Sequence, residues 1–115
     1  MKLVASLLVA ALVATAWPAT AAPEERKNDK DELLTLYLLS IAADRCAFPM
    51  TARQADAIEQ GARALVDKMK LGARENDAVY SEADVTFERQ GRSACDRNGT
   101  FAKGFRRTLQ RVTSP

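Results

Sequence analysis

Apolar residues along the chain fall into one dense leader and four further runs. Leu3 to Ala16 is Leu, Val and Ala broken only by Ser6 and Thr15, preceded by Lys2 and followed by Trp17-Pro18 and then Ala19-Thr20-Ala21. That order of a positive start, a short apolar stretch, a break and a small-x-small site is the pattern of a signal peptide, cleaved after Ala21. The stretch is shorter than the roughly 20 residues that span a bilayer, and no cysteine follows the cleavage point to carry a lipid. The reading predicts a signal peptide over 1–21, a flexible polar lead-in over 22–30 and a single helical domain over 31–115. It gives the protein no stable membrane anchor.

In the second run, Leu33–Ala43, nine of eleven residues are apolar. Asp29 followed by Glu32 offers a helix start. So dense a run leaves no single stripe, which suits a central core helix; the competing use is a homodimer or partner seam along Leu33–Ala43. A short buried strand is a weaker alternative, because the run is Leu-rich and poor in β-branched residues. After the break at Cys46-Ala47-Phe48-Pro49-Met50, Thr51 and Gln54 form a capping box. Ala55, Ile58, Ala62, Leu65, Val66 and Met69 then follow helical spacing, with Gly72 as the expected left-handed residue past its end. A third helix is expected from Asn76, carrying Val79, Tyr80, Ala83 and Phe87 and closed by Gly91. A last one is capped by Thr100 and carries Phe101, Phe105, Leu109 and Val112. The fold class is therefore all-α, a small bundle of three to four helices.

Two cysteines cannot build a four-cysteine zinc site, but after export they can form one disulfide, Cys46–Cys95. It ties the entrance of the two middle helices to their exit and stabilises the fold by about 4 kcal/mol on the chain-entropy model. A redox-active pair would need a CxxC-type arrangement, which the sequence lacks. With no histidine among the 115 residues, a His-based triad, a His-ligated zinc site and a His pH switch are excluded.

Other candidate chemistry is weak. The carboxylates at Asp29, Asp31 and Glu32 and at Glu75, Asp77, Glu82, Asp84 and Glu88 lie mostly near helix starts, which favour the ionised form over the raised pKa of a general acid. Asp96-Arg97-Asn98-Gly99-Thr100 departs from a calcium loop, since glycine is fourth and Arg107 occupies the twelfth position. Asn98-Gly99-Thr100 fits the glycosylation pattern only in a eukaryotic host. Ser93 has no nucleophile elbow, and Tyr37 and Tyr80 fit the core better than a ligand-stacking role. No cofactor or metal is expected, and the chain is read as a non-enzyme.

The formal charge of +2 conceals a polarity. Residues 22–88 carry 14 acids and 9 bases, whereas residues 89–115 carry one acid, Asp96, and seven bases. Arg97, Lys103, Arg106, Arg107 and Arg111 are the candidate partner-binding residues, because guanidinium groups favour planar contacts with anions. The competing reading pairs these cations with the chain's own Asp56, Glu59, Glu75, Asp77, Glu82, Asp84 and Glu88, or leaves them solvated. Nucleic acid is disfavoured by the near-zero net charge of the exported chain and by the lack of a recognition-module signature.

In size, in its leader, in two cysteines bracketing the middle helices and in a final helix of Phe and cations, the stretch Cys46 to Val112 resembles the small acid-stress chaperones of the bacterial periplasm. That family opens on an aromatic–Cys–acidic motif, whereas here Cys46 follows a long apolar helix and precedes Ala47-Phe48-Pro49. The likeness is one of spacing, so no residue's role is carried over. It implies a holdase that loosens in acid and exposes apolar surface. The leading expectation is a periplasmic or secreted protein that binds another protein, anionic where the arginines meet it. The alternatives are that holdase and a small secreted effector or inhibitor. Ala- and Arg-rich composition points to a high-GC bacterium as the source.

Overall fold

The computed structural model describes residues 23–114. Four α-helices, α1 (Pro23–Cys46), α2 (Ala52–Met69), α3 (Ala73–Glu88) and α4 (Thr100–Thr113), are joined by short connections, with a 3-10 turn at Gly91–Cys95 ahead of α4. No strand occurs among the described residues, as expected from the periodicity. The Cys46–Cys95 disulfide is present. The expected signal peptide lies outside the described residues.

Helix α1 starts at Pro23, six residues before the start expected at Asp29, so residues 23–30 are helical rather than a lead-in. Proline suits the first helical position because its missing N–H has no intrahelical acceptor there. Glu24 and Glu25 then face the positive end of the helix dipole. The early turns are also held from outside: Lys68 Nζ lies 3.2 Å from Asp29 and 3.6 Å from Glu25, and Lys30 Nζ lies 3.3 Å from Glu82. These contacts are long-range in sequence, which is why local pattern alone places the start too late.

Helix α2 begins with the expected capping box. Thr51 Oγ1 accepts from the Gln54 N–H at 3.0 Å, and the Thr51 N–H donates to Gln54 Oε1 at 2.9 Å. Its left-handed terminal residue is Lys70 (φ 55°) rather than Gly72. The Leu71 N–H reaches back to the Val66 carbonyl at 3.1 Å, closing the helix two residues earlier than the glycine would. Gly72 instead precedes α3, donating its N–H to Glu75 Oε1 at 2.9 Å. That bond starts α3 at Ala73, ahead of the expected Asn76. Because an L-residue in the left-handed region costs about 1 kcal/mol, Lys70→Gly is expected to raise stability by about 0.5–1 kcal/mol in urea denaturation. Destabilisation instead would mean that the lysine side chain holds this turn.

The contacts at helix ends define the topology. Lys68 near the end of α2 and Arg111 near the end of α4 both reach the start of α1, whereas Glu88 at the end of α3 reaches Arg45 near the end of α1. The helices therefore run up, down, up and down. Leu33, Leu36, Leu39, Ile41 and Ala42 of α1 meet Ile58 and Ala62 of α2, Val79, Ala83 and Phe87 of α3, and Ala102, Phe105 and Leu109 of α4 in one core. Leu33 and Ala102 are fully buried. The dense run of α1 thus serves as the axle of the bundle, with the other three helices packed around it. Gly61 on α2 permits the close approach on one side: a Cβ there would stand 3.3 Å from Leu36 Cδ1.

Candidate functional site

Three helices do not fully enclose a fourth, and the gaps fall where neighbouring helices diverge. Helices α3 and α4 meet through Phe87 and Phe101, whose ring centroids are 5.8 Å apart. Away from that contact, α1 residues Leu34, Thr35 and Leu38 are only half-buried. The resulting groove has a volume of about 700 Å³ and is walled by Thr35, Leu38 and Leu39 of α1 and Phe101, Gly104, Phe105, Arg107 and Thr108 of α4, with Gln90 and Ser93 at one end. A smaller cleft of about 290 Å³ between α1 and α3, bounded by Asp31, Leu34, Ala83 and Thr86, shares Thr35 and Leu38 with it. The two form one trough along α1.

Both surfaces singled out in the sequence converge on this trough: the floor belongs to the Leu33–Ala43 run and one wall to the Arg-rich last helix. The candidate residues are nonetheless dispersed. Arg107 lines the groove. Lys103 is exposed on α4. Arg97 and Arg106 flank a separate cleft of about 250 Å³ beside Ala47, Phe48 and Pro49, and Arg106 Nη1 donates to the Arg97 carbonyl at 3.1 Å. Arg111 pairs with Glu32 of α1 at 3.4 Å.

The charge pairing differs from the internal pairing considered for the C-terminal cations. Arg45, not a residue of the basic tail, binds Asp84 at 2.5 Å and also Glu88, and its guanidinium lies 5.5 Å from the centre of the Phe87 ring. Lys30 takes Glu82. Glu59 pairs with Arg63 one turn away. Of the seven cations beyond Glu88, Arg111 alone is within ion-pair distance of an acid among the described residues. Among the described residues every ion pair between helices has one member on α1, so α1 gathers the charges of its neighbours as well as their apolar faces.

A second large groove, about 570 Å³, lies between α1, α2 and α3, with Tyr37, Ile58, Val66 and Tyr80 on its walls. Tyr80 is 46 % exposed rather than core, packing edge-on against Tyr37 at 5.3 Å. Here Glu59 and Arg63 pair with each other at 2.6 Å, leaving the carboxylate of Asp67 as the remaining lining charge, and the Tyr37 hydroxyl already donates to Asn76. The trough differs in having a cation on its wall with no acid beside it and no carboxylate lining its larger part among the described residues.

The perturbed titrating groups lie elsewhere. Burial pushes the Tyr37 phenol up from its usual 10, against the hydrogen bond to Asn76. Arg45 is raised by its bond to Asp84, and Lys68 by its bond to Asp29. All three hold their protons more tightly folded than unfolded. Their contributions are complete at neutral pH and decline as pH rises past the unfolded values, about 10 for Tyr and 10.4 for Lys. Thermal melts from pH 8 to 11.5 are accordingly expected to fall above pH 10, less steeply in Tyr37→Phe. An unchanged slope in that variant would remove Tyr37 from the effect.

Gly104 and Gln90 were not singled out by sequence pattern, and Ser93 was considered only as a nucleophile and set aside. Gly104 carried a signal, a glycine inside a helical repeat, but the space beside it is set by the distance between α1 and α4. The trough offers apolar area, hydroxyl and amide hydrogen bonding and one guanidinium. No helix among the described residues is long and apolar enough to cross a membrane. Neither a family model, nor a curated protein, nor a solved structure matches the chain.

Proposed function

We propose that the protein is exported to the periplasm or beyond, with residues 1–21 as its cleaved signal, and acts without catalysis by binding another protein in the trough between α1 and α4. The observation that carries this reading is the joining of half-buried Leu38 and Phe101 to an Arg107 that has no acid partner among the described residues. An apolar patch with a cation on its wall is the composition of a protein-binding surface, where arginine and aromatic side chains concentrate the binding energy. Photocrosslinking groups placed at Leu38 and at Thr108, with Arg53 and Ala64 on the exposed side of α2 as controls, test it in cells of the source. Discrete adducts of one mass from the two trough positions alone are expected. Identical adducts from α2, or none from the trough, would overturn it.

A second reading, the acid-stress holdase, draws support from the ion pairs that converge on α1. Carboxylates as a class take up protons below about pH 4, and each of the six ion pairs that join α1 to another helix among the described residues contains one. On this reading near-UV circular dichroism is lost reversibly between about pH 4 and 2, with dye binding and protection of an aggregating client. An unchanged near-UV signal at pH 2 excludes it.

A further inference from the structure

From the shape and charge of the trough we infer that its occupant is an acidic amphipathic helix of a partner protein. This rests on the binding function proposed above and adds the chemistry of the partner. The floor runs from Asp31 to Leu38 on α1 and the wall from Thr100 to Thr108 on α4, each about 12 Å, or two turns of helix. Apolar side chains at i, i+3 or i+4, and i+7 of an incoming helix span that length, and a furrow walled by two helices is the setting for helix-in-groove recognition.

Charge selects the occupant's sign. Covering Arg107 removes it from water, and a buried guanidinium left unpaired is strongly unfavourable. The chain supplies no acid to it among the described residues, so the incoming segment brings a carboxylate. Of the seven cations in residues 89–114, Arg107 lines the trough and Lys103 is exposed on the same helix, whereas the carboxylate Asp31 bounds only the narrow end against α3; the wide end therefore draws an acidic segment and repels a basic one. A second copy of this chain fits poorly. Its most acidic helix, α3, has Val79, Ala83 and Phe87 committed to its own core and Glu82, Asp84 and Glu88 committed to Lys30 and Arg45.

The test uses the isotopically labelled chain beginning at Ala22 and two capped peptides of about three helical turns. Both carry Leu at i, i+3, i+4 and i+7; one has Glu and the other Lys at the flanking positions. The Glu peptide is expected to shift the amides of Thr35, Leu38, Gly104 and Thr108, to become helical on binding, and to bind about tenfold or more tightly than the Lys peptide. Arg107→Glu, checked for an unchanged melting temperature, should reverse that preference. Equal affinities, shifts on another face, no binding at millimolar peptide, or self-association that perturbs the same amides would each overturn the inference. If crosslinks from Leu38 and Thr108 identify a partner whose contacting segment is basic or neutral, this inference fails while the binding function stands. If the trough gives no adduct, the binding function itself fails.

Discussion

Replacing Cys46 and Cys95 together by alanine is expected to lower the free energy of unfolding by about 4 kcal/mol. The bridge spans a sequence separation of 49 and fastens the last residue of α1 to the last residue of the 3-10 turn. Both middle helices lie within the loop that it closes. Without the bond, the unfolded chain regains the freedom of that whole loop, while the folded chain keeps its core. Domains of this size are stable by about 5–15 kcal/mol, so the loss removes a large fraction of the total. Cys95 is exposed, so reductant should reach the bond in the folded protein and reproduce the double variant. Urea denaturation of both measures the effect, and a loss under about 1 kcal/mol would show that the bridge is incidental to stability.

A loss of about 3–5 kcal/mol is expected for Leu33→Ala, from the transfer of the removed carbons to water and the cavity left behind. Leu33 is fully buried on the one helix that all the others touch, so no single neighbour can move in to fill the space. Leu38, five residues or about 1.4 turns further along the same helix, faces the trough and is half-buried. Leu38→Ala should cost about 1 kcal/mol, because water already reaches part of the side chain. Chemical denaturation of the pair distinguishes axle from floor. Equal losses at both positions would mean that Leu38 is packed like core and that the trough is closed in solution.

The contrast between Leu33 and Leu38 also marks how far the sequence could be read. That α1 is a helix follows from its composition, and that it is central follows from the density of its apolar residues. Which of those residues would be left half-covered depends on where α3 and α4 diverge, and no local pattern encodes that. Features closed within one turn, such as the Thr51–Gln54 capping box, were legible in full. The αL residue at Lys70 was not: glycine at position 72 offered the cheaper conformation, but Glu75 drew its N–H into the start of α3. The same division holds for charge. The excess of cations after Glu88 was plain in the sequence, but their pairing was not, because Arg45 takes Asp84 and Glu88 from a distant part of the chain. Arg111 alone among the candidate arginines found an internal acid, through the antiparallel approach of α4 to the start of α1.

The proposed binding of a partner in the α1/α4 trough can be blocked at Gly104. A Cβ at this position meets nothing within 4 Å, and glycine inside a helix costs about 1 kcal/mol relative to good helix formers. Gly104→Leu should therefore leave the melting temperature unchanged or raised while filling the trough with a side chain. The deciding measurement is the yield of the Thr108 crosslinked adduct in this variant, compared with the parent at equal protein level. A fall of about tenfold or more with an intact fold is the predicted result. An undiminished adduct in a folded Gly104→Leu protein would contradict the claim.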